Sequence, residues 1–367
     1  MSREARPSPH APCPRRLAAA PAGTRFPIRH SNHPGSGAVG KCGVLAAIAS
    51  VSSAVLAQDA GLVKLVRNEA EQTFDFDTPV MSGSIKAEGS YHGVTRLADK
   101  RSGKQLTDSR YSALNLFRLF SVNLGMGTPR TMERKVRATE TAVEITWPAT
   151  EQHQGEIVAR YVVREPDTID LRLTLRVKGT YAGYELLLPS YFDATMIPHV
   201  CLKGRRRAAK PPDVDWVVPM LSEVYRGCSL VFPRDAHAAR RPLDGRWERN
   251  EYKMPIAPFF PVRHYAQPVA FLADPEKQNA VVLMMRRSSC SAISARYYAE
   301  RPEDRATTYT AVDFLVFGDD LLPGDVRTAD VRLVLTPLDA AMSQPLKLYE
   351  KFLSETERFN PQSKGLP

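Results

Sequence analysis

The sequence contains little cysteine, no apolar run long enough to cross a membrane and no CxxC, HExxH or GxSxG motif. The His, Asp and Glu residues also lack the local spacing of metal ligands. We therefore expect neither a cofactor nor a metal site.

Cysteines are few and irregularly spaced. The chain has five in 367 residues, and only Cys201, Cys228 and Cys290 follow residue 57. An odd number at wide spacing is typical of neither a disulfide framework nor a metal site. Cys201 and Cys228 either form one bridge in an oxidising compartment or remain buried thiols.

The first 57 residues have the composition of a leader. Residues 1–40 are rich in Pro, Ala, Arg and His without hydrophobic periodicity, which is typical of disorder. Residues 42–57 form an uncharged run that ends in small and β-branched residues, as signal peptidase requires. We therefore expect cleavage near Ala57 and a secreted or periplasmic protein. The alternative for this run is a buried helix, whereas a stable membrane span needs about 20 strongly apolar residues.

The leader also carries most of the positive charge. The formal net charge of the chain is +10, and the first 57 residues contribute +6 of it through seven Arg and Lys against one Glu. The remaining +4 is ordinary for a soluble domain. The basic composition therefore does not indicate a nucleic-acid partner.

From Gln58 onward, short alternating runs of apolar and polar residues are separated by turn residues, which is typical of an all-β protein. In residues 168–177, every second residue is apolar, so we expect one face of this strand to be buried and the other to be exposed to solvent. Residues 164–167 form the turn of a hairpin. The clearest predicted strands are residues 93–97, 142–147, 156–163, 168–177, 269–272, 279–285, 309–317 and 331–335.

Two regions depart from the strand pattern. Residues 194–266 are rich in proline, arginine and aromatic residues, and we expect long ordered loops that cover one face of a sandwich. Residues 345–353 place apolar side chains at helical spacing, which predicts a short C-terminal helix docked across the sheets. The predicted domain therefore spans residues 58–340, with the helix and tail in residues 341–367.

Two segments, residues 91–106 and residues 160–192, resemble paired strands of the galactose-mutarotase-like superfamily, which includes aldose epimerases and domains of glycan hydrolases and lyases. Residues 313–325 are similar to the turn before that family's last strand. The resemblance implies an antiparallel β-supersandwich that acts on or binds carbohydrate. Aldose epimerases carry an Asn-His pair before the Tyr-Phe dipeptide, where this chain has Leu188 and Pro189. Neither side chain can transfer a proton, so the resemblance does not carry the epimerase mechanism over.

Aromatic and forked polar residues suited to sugar recognition concentrate in residues 245–265 and around the Tyr-Phe dipeptide. His92 and His199 each stand beside apolar residues, and we expect both to be structural. The alternative for the loop residues is that Trp247 and Tyr265 only pin the loop to the sheet. The candidate catalytic residues are His264, Tyr191 and Glu248, and the candidate substrate-binding residues are Trp247, Arg249, Arg263, Tyr265 and Asp193.

Residues 203–210 form a basic cluster that could attract carboxylate or sulfate groups of an acidic glycan, although such a run is more often a solvated loop. Two functions remain open from the sequence. The first is an exported carbohydrate-active protein, in particular a glycan lyase or hydrolase, with a poly- or oligosaccharide partner. The second is a non-catalytic binding or structural module of the cell envelope.

Overall fold

A computed structural model describes residues 61–204, 214–219, 229–243, 258–259, 263–276, 278–298 and 309–358. The described part is built almost entirely from antiparallel β-strands, which confirms the predicted all-β class. Within it, no helix combines the length and apolar character needed to span a membrane.

The first strands form a small five-stranded sheet in sequential order. These strands are β1 Val66–Asn68, β2 Thr73–Asp77, β3 Met81–Lys86, β4 Gly93–Asp99 and β5 Lys104–Gln105. The next strands are β6 Arg118–Ser121, β7 Gly125–Gly127, β8 Lys135–Ala138, β9 Ala142–Trp147, β10 Gly155–Arg164, β11 Thr168–Val177, β12 Tyr181–Phe192, β13 Ile197–Lys203 and β14 Val214–Val217.

The remaining elements complete two large sheets and two helices. They are β15 Ser229–Pro233, α1 Ala236–Leu243, β16 Pro258–Phe259, β17 Tyr265–Ala273, β18 Asn279–Met285, β19 Cys290–Tyr298, β20 Tyr309–Leu321, β21 Val326–Pro337 and α2 Gln344–Arg358. A nine-stranded sheet has the order β14-β13-β17-β18-β21-β11-β10-β9-β8, and a seven-stranded sheet has the order β16-β15-β19-β20-β12-β6-β7. All pairings are antiparallel except β15 with β16.

The two large sheets pack face to face through an inter-sheet core. Alternate residues of each strand enter it, for example Leu171 and Leu173 from β11 and Leu186 and Leu188 from β12. Trp147 is fully buried in the same core, and its indole N–H donates to the Pro129 carbonyl at 2.9 Å. Burial of these side chains supplies the main driving force for joining the sheets, at roughly 25 cal/mol per Å² of apolar surface.

Helix α2 covers the opposite face of the nine-stranded sheet. Tyr349 and Phe352 pack there against Phe271 and neighbouring buried side chains, which places the predicted C-terminal helix across the sheets. A charged contact at the helix end supports this docking, because Glu355 accepts a hydrogen bond from Arg332 of β21.

Region 194–266 differs from its prediction as a set of loops. It supplies strands β13 to β16 and helix α1, and β13 lies in the nine-stranded sheet between edge strand β14 and β17. Residues 198–202 of β13 are all buried, since the inter-sheet core lies on one face and α2 with its neighbours on the other. A strand buried on both faces loses the two-residue alternation by which strands are recognised. Cys201 within it is a free, buried thiol, and Cys228 lies outside the described residues.

His92 is a fully buried structural residue, as the sequence suggested. Its Nε2 accepts a hydrogen bond from the Leu116 N–H at 3.1 Å, and its ring lies 5.0 Å from Trp147. Burial, followed by the nearby positive charges of Arg134 and Arg130, lowers the pKa of His92 to about 3. The imidazole is therefore neutral over the whole range in which an exposed histidine titrates.

We predict that His92 makes the fold less stable in acid. Below pH 6.5 the unfolded chain binds a proton at this residue, whereas the folded protein does not until about pH 3. The free energy of unfolding should therefore fall by about 1.4 kcal/mol per pH unit across this window. Denaturant unfolding of the wild type and His92→Gln, whose side-chain oxygen can still accept from Leu116, measures the difference. Parallel pH curves for the two proteins would contradict the assignment.

Candidate functional site

Polar side chains of three central strands meet on the outer face of the seven-stranded sheet, the face turned away from the inter-sheet core. Because side chains alternate along a strand, burial of Leu188, Phe314 and Ile293 in the inter-sheet core sends their alternate neighbours outward. The outward positions are Tyr191 on β12, Asp313 on β20 and Ser294 and Arg296 on β19.

A charged pair stands at the centre of this face. Arg296 Nη2 lies 3.9 Å from Asp313 Oδ2, and the two side chains are only 3% and 0% exposed. The Ser294 hydroxyl donates to the same Asp313 oxygen at 3.1 Å. A charged pair this deeply buried is expensive to desolvate, and a separation of 3.9 Å recovers only part of that cost.

At the charged pair and beside it, three polar atoms are buried without a hydrogen-bond partner among the described residues. They are Arg296 Nε, Asp313 Oδ1 and Ser229 Oγ. Ser229 of β15 is the cross-strand partner of Arg296, so the two side chains stand next to each other. Buried donors and acceptors are normally satisfied, so several unsatisfied ones side by side need an explanation, of which a functional role is one.

Four tyrosines lie beside the charged pair and are called here the tyrosine cluster: Tyr91, Tyr111, Tyr191 and Tyr309. Their ring centroids are 4.7 to 6.3 Å apart in the described contacts. The guanidinium carbon of Arg296 lies 5.7 Å from the Tyr191 ring and 5.8 Å from the Tyr309 ring. The cluster therefore sets aromatic faces beside a fixed cation and a carboxylate.

A close backbone approach brings the first two tyrosines of the cluster together. Val94 and Ala113 exchange two backbone hydrogen bonds of 2.9 and 2.8 Å, which hold the chain around Tyr111 against the chain that follows Tyr91. Gly93 allows this approach, because its φ is +111° and a Cβ there would lie 2.4 Å from the Ala113 carbonyl oxygen.

The environment of the site shifts the pKa values of its ionisable groups. Burial raises the pKa of the Asp313 carboxyl, and Arg296 and Ser294 oppose this shift without cancelling it. Burial lowers the pKa of Arg296, but Asp313 and the neighbouring tyrosines raise it by more. Burial also raises the pKa of Tyr191. Arg296 is thus a permanent cation, while Asp313 holds a proton to higher pH than a surface aspartate.

The described members of the predicted site fall in two places. Tyr191 belongs to the tyrosine cluster, whereas Arg263, His264 and Tyr265 lie at the start of β17 in the nine-stranded sheet. Tyr265 is buried in the inter-sheet core, and its hydroxyl donates to the Cys290 carbonyl at 2.7 Å. Arg263 donates to the Lys203 carbonyl and to Asp215 Oδ2. The structure does not join this group to Tyr191 in one site.

Asp193 has a local structural contact, because its carboxylate accepts hydrogen bonds from the Thr195 N–H and hydroxyl. His199 stacks on Phe271 at 4.3 Å, as expected of a structural histidine. Trp247, Glu248 and Arg249 lie outside the described residues, as does most of the basic cluster 203–210. No group of three or more His, Cys, Asp or Glu side chains within the described part is arranged to hold a metal ion.

Sequence reasoning missed Arg296, Asp313 and Ser229. One signal was available, since Asp313 interrupts an otherwise apolar strand between Val312 and Phe314. A charge in the middle of a buried strand indicates either a structural pair or a functional group. The partner could not be identified in the same way, because it comes from a different strand.

No protein-family model matches the chain, and no curated protein matches it either. Several solved structures are similar to it. A candidate aldose 1-epimerase from Escherichia coli K12 is 8% identical with a TM-score of 0.43, covering 72% of this chain and 99% of that one. A galactose 1-epimerase from Lactobacillus acidophilus NCFM is 9% identical with a TM-score of 0.40, covering 75% and 98%.

A mutant heparan sulfate lyase from Pedobacter heparinus is 7% identical with a TM-score of 0.39, covering 72% of this chain and 35% of that one. Aldose epimerases are among the solved structures that this chain is similar to. All three TM-scores are below 0.5, and the function proposed below rests on the side chains of this chain.

We predict that Arg296 and Asp313 are energetically coupled. Arg296→Met or Asp313→Leu alone leaves one buried charge uncompensated and should lower the free energy of unfolding by about 3–5 kcal/mol. The double variant removes both charges and should recover most of that loss. Chemical denaturation of the wild type, the two single variants and the double variant completes the double-mutant cycle. If the loss in the double variant equals the sum of the two single losses, the two groups do not interact.

Proposed function

We propose that the outer face of the seven-stranded sheet binds a carbohydrate and catalyses proton transfer on it. The observation that carries the proposal is the buried Arg296–Asp313 pair, which keeps unsatisfied polar atoms beside four tyrosines. Sugars are recognised by aromatic faces that stack on C–H surfaces and by forked polar groups that bracket hydroxyls. Both kinds of group occur here within a few ångströms of each other.

The proposed roles follow from the protonation of each group. Asp313 is the proton carrier, because burial raises its pKa toward the range in which an acid or base can work. Arg296 holds negative charge that develops on the sugar, since its own charge is fixed by the shifted pKa. Tyr191 orients the ligand through its ring and hydroxyl. A poly- or oligosaccharide lyase or hydrolase is the enzyme class that uses such groups.

The test is an oligosaccharide panel assayed for thermal stabilisation and for release of reducing ends or unsaturated products. Asp313→Asn should keep ligand binding and lower product release by about 10²- to 10⁴-fold. Asp330→Asn is the matched control, because Asp330 pairs with Arg172 in the nine-stranded sheet and makes no contact with the tyrosine cluster.

The outcomes separate the candidate functions. Undiminished turnover by Asp313→Asn would remove Asp313 from the chemistry. Ligand stabilisation without any product would support the non-catalytic cell-envelope module in place of an enzyme. If no oligosaccharide produces a thermal shift, carbohydrate is not the ligand of this face.

We also propose that the protein is exported and begins at Gln58 after cleavage. The support is the uncharged run of residues 42–57 and its small-residue end. When the full chain is expressed in a bacterium with a Sec pathway, the protein recovered outside the cytoplasm should have Gln58 as its first residue. Intact mass and N-terminal sequencing measure this, and a recovered protein that retains residues 1–57 would contradict export by this route.

A further inference from the structure

Arg130 lies at the end of the outer face nearest Tyr91. Its guanidinium carbon is 3.8 Å from the centroid of the Phe117 ring and 5.1 Å from that of Tyr91. The backbone at this point is well anchored, because the Pro129 carbonyl accepts from the Trp147 indole and the Arg130 carbonyl accepts from Arg134 at 2.6 Å. The guanidinium is therefore held over the rings of Phe117 and Tyr91, which are called here the aromatic floor.

The charge of Arg130 is not compensated within the described part of the chain. No carboxylate there forms an ion pair with it, and its Nε is buried without a hydrogen-bond partner. The adjacent Arg134 adds positive charge. Its guanidinium faces the carbonyls of Arg130 and Ala87 and the neutral ring of His92. A half-buried guanidinium with free donors and no counter-ion favours an anion as its missing partner.

The aromatic floor continues into the proposed site. Phe117 belongs to the apolar cluster against which Tyr91 packs, and the Tyr91 and Tyr191 rings are 6.3 Å apart. Arg296 is in turn 5.7 Å from the Tyr191 ring. A ligand that reaches Arg296 and Asp313 can therefore extend along the tyrosines to Arg130.

We infer that Arg130, on its floor of Phe117 and Tyr91, binds an anionic group of a sugar ring, a carboxylate or a sulfate. This inference rests on the proposed function and names its substrate class as an acidic glycan. The planar guanidinium can donate two parallel hydrogen bonds to such a group, while the half-buried Tyr91 contacts the ring that bears it. A neutral sugar would leave the cation without a counter-charge.

The test compares two pairs of probes on the full chain by calorimetry at fixed ionic strength. The first pair is tetragalacturonate and its methyl ester, and the second is a sulfated galactan tetrasaccharide and its desulfated form. Arg130→Met keeps an unbranched side chain over Phe117 without charge, and Arg130→Lys keeps the charge without the planar fork. Arg176→Gln is the matched control, an exposed arginine of the nine-stranded sheet that pairs with Glu156.

The wild type should bind one acidic probe more tightly than its neutral form, and the pair that shows the preference distinguishes carboxylate from sulfate. Arg130→Met should weaken binding of that acidic probe roughly 10- to 100-fold and leave binding of the neutral form unchanged. Arg130→Lys should bind the acidic probe with an affinity between those of the wild type and Arg130→Met. Arg176→Gln should behave as the wild type.

Two results would overturn the inference in distinguishable ways. Equal binding of the acidic probe by the wild type and a folded Arg130→Met variant would reject Arg130 as the anion site and leave the proposed function standing. A wild type that binds none of the four probes would reject this substrate class, while the wider oligosaccharide panel decides the proposed function separately. Thermal unfolding of each variant shows whether it is folded. If Arg130→Met does not fold, the comparison is made with Arg130→Lys.

Discussion

The two-residue repeat of strands β12, β19 and β20 is the constraint on which the site depends. Leu188, Ile293 and Phe314 are held in the inter-sheet core, and this burial fixes the orientation of every other residue on their strands. A shift of β20 by a single residue would move Asp313 between the sheets and its apolar neighbours to the outer face. The packing that stabilises the protein is therefore the same packing that positions Arg296 and Asp313 on the outer face.

The outer face is not uniformly polar, and the contrast along it is informative. A few residues from the charged pair, Leu187, Val231 and Leu315 form an ordinary apolar cluster. The fold can therefore cover this sheet with apolar side chains. Arg296 and Asp313 occupy equally buried positions at a cost in desolvation, and apolar pairs of similar volume are often at least as stable. The proposed function accounts for the charges at these positions.

Aromatic rings link the two cationic points of the face. Phe117, Tyr91 and Tyr191 extend from Arg130 to Arg296, with Tyr111 and Tyr309 packed beside them. Arginine stacks favourably on aromatic faces and keeps its in-plane donors for other partners. In the proposed function, the half-buried Tyr91 of this set also offers surface to a sugar.

The sequence by itself determined the all-β class, most strands of residues 142–177 and 279–335, and the C-terminal helix, because alternation and helical spacing are local properties. It also singled out Tyr191, which the structure places within β12. The role of region 194–266 was decided by tertiary structure, since β13 is buried on both faces and shows no alternation. The candidate site was also decided by tertiary structure. Ser229, Arg296 and Asp313 come from three strands whose adjacency follows from the sheet order, and no local pattern records which distant strands become neighbours.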